Sequence, residues 1–241
     1  MVICAPCTAH AKATTWRTLA PGLEYAMVSF GSDNMGSFLH AFRVDPQHYR
    51  LDVAFASDFG QQSASVRELA ERTKARVAIN GGFFSPELQP LGLRIQNGKR
   101  RTPLKSTSWW GIFSLEGTTP HIAPPWAYRP SSQTRMAVQS GPRLIVDGRV
   151  PPLKEGMAER SALCITPEHR IVVAATENAP MSTSTLADLL RRATAEGGFA
   201  CRDALNLDGG RSTQLYARIG RFRVHVPNLS TVTDAVIVVP K

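Results

Sequence analysis

Two short stretches of this 241-residue chain end an apolar run in a polar side chain followed by paired glycines. In the first, Val77-Ala78-Ile79 leads into Asn80-Gly81-Gly82-Phe83-Phe84; in the second, Ala204-Leu205-Asn206-Leu207 leads into Asp208-Gly209-Gly210-Arg211-Ser212. Glycines leaving a strand permit positive φ and close approach of a ligand to the main chain, where successive N–H groups can cradle an anion. A carboxylate held there, as Asp208 would be, can serve as base, nucleophile or cation ligand. Arg211 and the hydroxyls of Ser212 and Thr213 offer donors to phosphate oxygens. Each stretch alone also reads as a tight glycine turn with a solvated side chain. The repetition of the design favours chemistry.

Two more segments carry weight only beside these. Gln139-Ser140-Gly141-Pro142 interrupts an apolar run over 136–146, and Gly-Pro inside a strand pattern implies a bulge or sharp bend. Arg160-Ser161-Ala162 sets an arginine at the mouth of an apolar strand; a lone arginine is ordinarily a surface charge. Glu177 is a candidate second carboxylate and equally a plain loop residue. Ser140 lacks the preceding glycine of a nucleophile elbow. The six histidines are dispersed without metal-ligand spacing, so no metal ligand set is named, although a divalent cation at Asp208 stays open. Of Trp109-Trp110, one ring could stack on a sugar while the other faces the core.

The elements that must position these residues are mostly strands. Alternating or continuously apolar runs predict strands at 37–44, 51–56, 77–79, 91–95, 109–115, 136–146, 162–165, 171–175, 204–207, 213–216, 222–226 and 235–239. Asn97-Gly98, Asp147-Gly148 and Ile219-Gly220 mark hairpin-like breaks, and Lys99-Arg100-Arg101 beside the first reads as a solvated turn. Ser65 to Glu68 has capping-box spacing ahead of Val66, Leu69 and Ala70, which predicts one helix. A second is predicted from near Ser184 through Leu186, Leu189, Leu190 and Ala193 to Gly197-Gly198, with Asp188 and Arg192 as a supporting pair. Proline-rich 118–133 reads as an ordered loop or a surface insertion. Strands outnumber helices without regular alternation, so the expected class is α+β: a strand-rich mixed sheet with two or more covering helices.

Hydrophobic residues make up 43% and charged residues 20%, which suits a packed core and excludes wholesale disorder. Lys and Arg total 28 against 19 Asp and Glu, a net charge of +9 that attracts anionic partners. Those basic residues are scattered, which argues against nucleic acid as the partner. No apolar stretch reaches the roughly 20 residues of a membrane span. Residues 1–11 end in Ala9-His10-Ala11, so they are read as a remnant of a signal peptide, or else as an ordinary tail. Residues 12–241 then form a single domain, of an exported protein, periplasmic or secreted, on the first reading, with the cytoplasm left open on the second. Cys4 and Cys7 are an improbable redox or zinc pair. Cys164 and Cys201 are comparably readable as buried thiols or as one disulfide.

Taken in order, Asn80-Gly81-Gly82-Phe83-Phe84, Ser140-Gly141-Pro142 before the Asp147-Gly148 turn, Arg160 opening a strand, and Leu207-Asp208-Gly209-Gly210 with Ser212 resemble the phosphodiester glycosidase family. The resemblance covers most of the chain, from Asn80 to Pro240, and departs where Arg211 replaces a third glycine. It implies a hydrolase cutting the anomeric bond of a sugar 1-phosphodiester, with a phosphorylated glycan as partner, on envelope or extracellular material. It also implies a site drawn from Asn80, Gly81, Gly82, Ser140, Gly141, Arg160, Asp208, Gly209, Gly210 and Ser212. Within it, Arg160 with Arg211 is assigned to the phosphate, Asp208 to the base or cation-stabilising role, Glu177 to the second carboxylate and Asn80 to a sugar hydroxyl or phosphate oxygen. The alternative is a non-catalytic module that binds phosphorylated or acidic polysaccharide.

Overall fold

Most strands of this chain bury both faces, and the two faces serve different cores. The computed structural model describes residues 13–30 and 36–241; the leader expected over 1–11, with Cys4 and Cys7, lies outside them. In chain order the strands begin with β1 (Arg17–Ala20), β2 (Leu23–Ser29), β3 (Phe38–Val44), β4 (Tyr49–Phe55), β5 (Val77–Asn80) and β6 (Arg94–Gln96). There follow β7 (Lys99–Thr102), β8 (Gly111–Glu116), β9 (Thr119–Ala123), β10 (Thr134–Ser140), β11 (Arg143–Ile145) and β12 (Ser161–Ile165). The last are β13 (Ile171–Glu177), β14 (Asp203–Asn206), β15 (Leu215–Ile219), β16 (Phe222–Val226) and β17 (Asp234–Pro240). Two α-helices, α1 (Val66–Thr73) and α2 (Thr183–Arg191), complete an α+β fold.

The strands form three sheets, ordered β1-β2-β3-β13-β12-β14-β11, β7-β6-β10-β8-β9 and β16-β15-β5-β17-β4. The ladders within them are antiparallel, so the expected mixed sheet is instead three antiparallel ones. The period-two pattern explains the layering. On β3, Phe42 and Val44 enter a central core that also takes Phe113 and Met136 from the second sheet and Val77, Leu215 and Val236 from the third. Leu39 and Ala41 face the other way, under Leu186, Ala187 and Leu190 of α2. On β17, Ala235 and Ile237 likewise turn outward beneath Val66, Leu69 and Ala70 of α1.

Both helices start on a serine cap. Ser65 accepts from Glu68 N–H, as the capping box requires, and Ser182 rather than Ser184 caps the second helix through Thr185 N–H. That helix stops at Arg191, because Arg192 takes an extended ψ of 148°, and a separate 3-10 turn precedes Gly197. Asp188 therefore meets Arg191, at 3.8 Å, and not Arg192. The run predicted over 136–146 is broken at the cis Gly141–Pro142 bond, and its halves belong to different sheets. Lys99-Arg100-Arg101 is no turn but part of the exposed edge strand β7, with Arg101 paired to Asp58 at 2.8 Å. Charge on an edge discourages pairing with another chain. Pro120 sits in the edge strand β9, where a missing N–H is tolerated.

No helix among the described residues is long and apolar enough to cross a membrane. Cys164 and Cys201 form a disulfide, with a Cα–Cα distance of 5.8 Å, closing a loop of 37 residues from β12 to the approach to β14. It constrains the unfolded chain across the whole of α2. Replacing both cysteines by alanine is expected to lower stability by about 2–4 kcal/mol, measured by urea denaturation as a lower unfolding free energy with a steeper slope, because the unlinked unfolded chain exposes more surface.

Candidate active site

The two glycine-broken strand ends meet. Asp208 N–H donates to the carbonyl of Gly81 at 3.2 Å, and Asn80 Nδ2 donates to the carbonyls of Asp208 at 2.8 Å and Gly81 at 3.2 Å. Asn80 Oδ1 accepts from the Ser161 hydroxyl at 2.6 Å and from Gln214 N–H at 3.2 Å. A primary amide has two donors and one oxygen, and here all are engaged with β5, β12 and the Asp208 loop. Asn80 is also fully buried. It is therefore a clasp and not the substrate contact expected from the sequence.

The glycines beside it also have a different purpose. Neither Gly81 nor Gly82 has a positive φ. What excludes a side chain is crowding: a Cβ on Gly81 would lie 1.8 Å from Asp234 Oδ1, and one on Gly82 would lie 2.6 Å from both Arg94 Nη2 and the Gln139 carbonyl. Arg94 and Asp234 form a wholly buried ion pair at 3.0 Å. Arg94 Nη1 also donates to the carbonyls of Gln139 (2.9 Å), Leu91 and Leu93 (3.2 Å each), and Thr233 Oγ1 donates to Asp234 at 3.0 Å. At the second glycine pair both N–H groups are taken up within the protein. Gly209 N–H binds Asp208 Oδ1 at 2.9 Å, and Gly210 N–H binds the Glu159 carbonyl at 2.7 Å.

In front of this frame opens a cavity of about 720 Å³. Asp208, Arg160, Asn206 and Gly141 line it together with Gly209 and Gly210. The apolar wall includes Phe83, Trp109, Pro142 and Leu153, with Trp109 exposed and Trp110 buried behind it. Burial, reinforced by the charge of Asp234, raises the pKa of Asp208 above the usual Asp value; the Ser212 hydroxyl, the Gly209 N–H and Arg94 only partly oppose this. Half-buried Arg160 donates Nε–H to the Met181 carbonyl at 2.9 Å and Nη2–H to the Gly156 carbonyl. Burial lowers its pKa, yet no carboxylate among the described residues pairs with it. Asp208 and Arg160 thus share one cleft, with Lys154 and Glu155 of the 151–158 segment also in its lining, an arrangement suited to an anionic ester with an electrophilic carbon.

Other expected site residues lie elsewhere. Glu177 lines a separate pocket of about 480 Å³ and accepts from His40 Nε2 at 2.8 Å, so it is not a second carboxylate of this cavity. Tyr25 extends that chain with its hydroxyl 2.8 Å from His40 Nδ1, its pKa pushed up to about 12 by burial and then by Glu177. Arg211 is exposed and outside the cavity lining, and Ser212 is buried against Asp208. Ser140 is fully buried, and its hydroxyl has no partner among the described residues. Among those residues no group of three or more His, Cys, Asp or Glu side chains is placed to hold a metal ion. Sequence reasoning passed over Arg94, Asp234, Asn206 and the 151–158 strap that supplies Leu153. The available signal was a charge inside the apolar Leu93-Arg94-Ile95 and another heading the apolar β17.

Comparison with known proteins gives a consistent picture. The family model for phosphodiester glycosidase matches residues 73–239. The chain is 29% identical over 126 residues to the uncharacterized protein YigE of Escherichia coli K12, covering 47% of this chain and half the length of that protein. The crystal structure of a hypothetical protein from Synechocystis superposes with a TM-score of 0.67 at 16% identity, over 97% of this chain and 65% of that one. The catalytic domain of zebrafish N-acetylglucosamine-1-phosphodiester alpha-N-acetylglucosaminidase gives 0.67 at 15% identity, over 95% and 87%. At these identities the superpositions show a common fold.

Two outcomes follow for stability. Asp234→Ala strands a buried guanidinium and should cost about 3–5 kcal/mol, read from urea denaturation; a cost below 1 kcal/mol would contradict the structural role given to the pair. Asp208 has a folded pKa above its unfolded value, so ionising it opposes folding. That penalty is absent below the unfolded pKa and complete above the folded one. Asp208→Asn should therefore raise the denaturation midpoint at pH 7 and leave it unchanged at pH 3.

Proposed function

We propose that this chain, which belongs to the phosphodiester glycosidase family, hydrolyses the anomeric bond of a sugar 1-phosphodiester. The observation that carries the reading is the shared cavity of Asp208 and Arg160, an arginine without a carboxylate partner among the described residues beside an acid of raised pKa. The name of the zebrafish relative, an N-acetylglucosamine-1-phosphodiester glycosidase, supports the substrate class.

In this mechanism Arg160 neutralises the phosphodiester by charge-assisted hydrogen bonds, which also prepare the phosphate to leave. A water oxygen attacks the anomeric carbon and gives one proton to the Asp208 carboxylate. The C1–O bond breaks, its electron pair remains on the phosphate oxygen, and a phosphomonoester departs. Phosphate is a weak base, so the leaving group needs little help from a general acid, which suits a site with one buried carboxylate. Trp109 offers its exposed ring to an apolar sugar face. The Cys164–Cys201 disulfide supports placement in an oxidising compartment, the periplasm or outside the cell.

Release of free sugar from a panel of sugar 1-phosphodiesters tests the reading. Asp208→Ala is expected to lose about 10²–10⁴-fold in kcat, and Arg160→Ala to lose kcat/KM across the panel. For the wild type, kcat/KM should fall as pH drops through the raised pKa of Asp208, placing the acid limb above the ordinary Asp range. Turnover that is indifferent to Asp208→Ala would remove this residue from the mechanism. Glycan binding with no product from any substrate would replace the hydrolase by a binding module.

A further inference from the structure

The two sides of the cavity are chemically unlike. On the Asp208 side lie Asn206, whose buried Oδ1 has no partner among the described residues, and Trp109, 54% exposed with its ring 6.2 Å from that of Phe83. An acceptor and an aromatic face are what a sugar ring uses. On the Arg160 side the wall is the strap over 151–158, which contributes the apolar Pro152, Leu153 and Ala158 together with the exposed Lys154, Glu155 and Gly156.

Of the polar groups on that second side, the Thr183 hydroxyl and the Lys154 and Gly156 carbonyls are engaged within the protein, while the charged ends of Lys154 and Glu155 belong to the exposed part of the strap. The Thr183 hydroxyl donates to the Lys154 carbonyl at 2.8 Å, and the Ser184 hydroxyl to Glu155 at 2.9 Å. Ala158 bridges to Met181, whose carbonyl receives Arg160 Nε–H at 2.9 Å, so the apolar wall starts beside the guanidinium. A group attached to a phosphate held by Arg160 would leave along Ala158, Leu153 and Pro152. Along that apolar part of the wall a second sugar would give up water from several hydroxyls and gain no partner from the side chains of Ala158, Leu153 or Pro152, at a net cost. A hydrocarbon chain would lose only its unfavourable hydration.

We propose that the alcohol on the far side of the phosphate is aliphatic, so that the substrate is a sugar 1-phosphate esterified to an alkyl or prenyl alcohol. This rests on the hydrolase reading above and adds the class of the leaving group. Water cleaves the sugar C1–O bond as before, and the products are the free sugar and an aliphatic phosphomonoester.

The experiment compares kcat/KM for methyl, octyl and mannosyl diesters of N-acetylglucosamine 1-phosphate and of glucose 1-phosphate. In parallel, calorimetry measures binding of octyl phosphate and methyl phosphate to the intact protein. Each buried methylene is worth about fourfold, so the octyl compound is expected to exceed the methyl one by at least about tenfold in both measurements. Leu153→Ser should bring the octyl-to-methyl ratio toward one, and Leu153→Met, which preserves the apolar volume, should retain it. Equal values for octyl and methyl, or preference for the mannosyl diester, would overturn the proposal. If no diester is turned over but octyl phosphate binds tighter in a Leu153-dependent way, the hydrolase reading fails and the apolar leaving-group site stands. Equal binding of the two phosphates in that case would end both.

Discussion

Arg94 and Asp234 are both fully buried, and neither charge could remain there without the other. Arg94 comes from β6 in the second sheet and Asp234 from β17 in the third, so their 3.0 Å contact fixes how closely those sheets approach behind the cavity. Such a pair gives little net stability compared with a well-packed apolar replacement, but it tolerates little displacement. Gly81 and Gly82 are glycine because this pair presses against them. Burial raises the pKa of the Asp208 carboxyl, and the two members of the pair act on it in opposite directions, Asp234 upward and Arg94 downward. The position of the candidate base thus traces back to an ion pair that never meets the cavity, while its raised proton affinity comes first from burial.

Engagement of polar groups separates frame from site. Asn80 has every hydrogen-bonding atom occupied, and Gly209 and Gly210 turn their N–H groups toward protein acceptors. Glu177 is held by His40. Arg160 differs: carbonyls hold its orientation but do not neutralise its charge. Asp208 has the Ser212 hydroxyl, its neighbouring N–H and the charge of Arg94 against burial and a like charge. A charge that the fold orients without neutralising is available to a ligand, and these two share one cavity.

The strap over 151–158 ties this site to the first sheet's outer helix. Thr183 and Ser184, in the first turn of α2, bind Lys154 and Glu155 of the strap, while the strap's Gly156 carbonyl receives Arg160. The Cys164–Cys201 link spans the same helix from β12 to the approach to β14, the strand that delivers Asp208. Helix, strap and strand end are therefore held as one unit around the cavity.

The sequence by itself determined the α+β class, most strand positions, both helix starts to within two residues, and the family. These depend on local periodicity, caps and ordered motifs, which the linear chain carries. It also singled out Asp208, Arg160, Gly141 and the second glycine pair, because polar residues that end apolar strands are visible in one dimension. Only the tertiary structure decided which polar groups are free. Asn80 and Glu177 have the same residue types as genuine ligands, but partners 81 and 137 positions away along the chain, Ser161 and His40, occupy them. Arg94 and Asp234 stand 140 positions apart, so nothing local announces that they pair. The break at Gly141–Pro142 was legible, while the transfer of the chain from one sheet to another was not, because sheet membership is set by long-range hydrogen bonds and burial rather than by spacing.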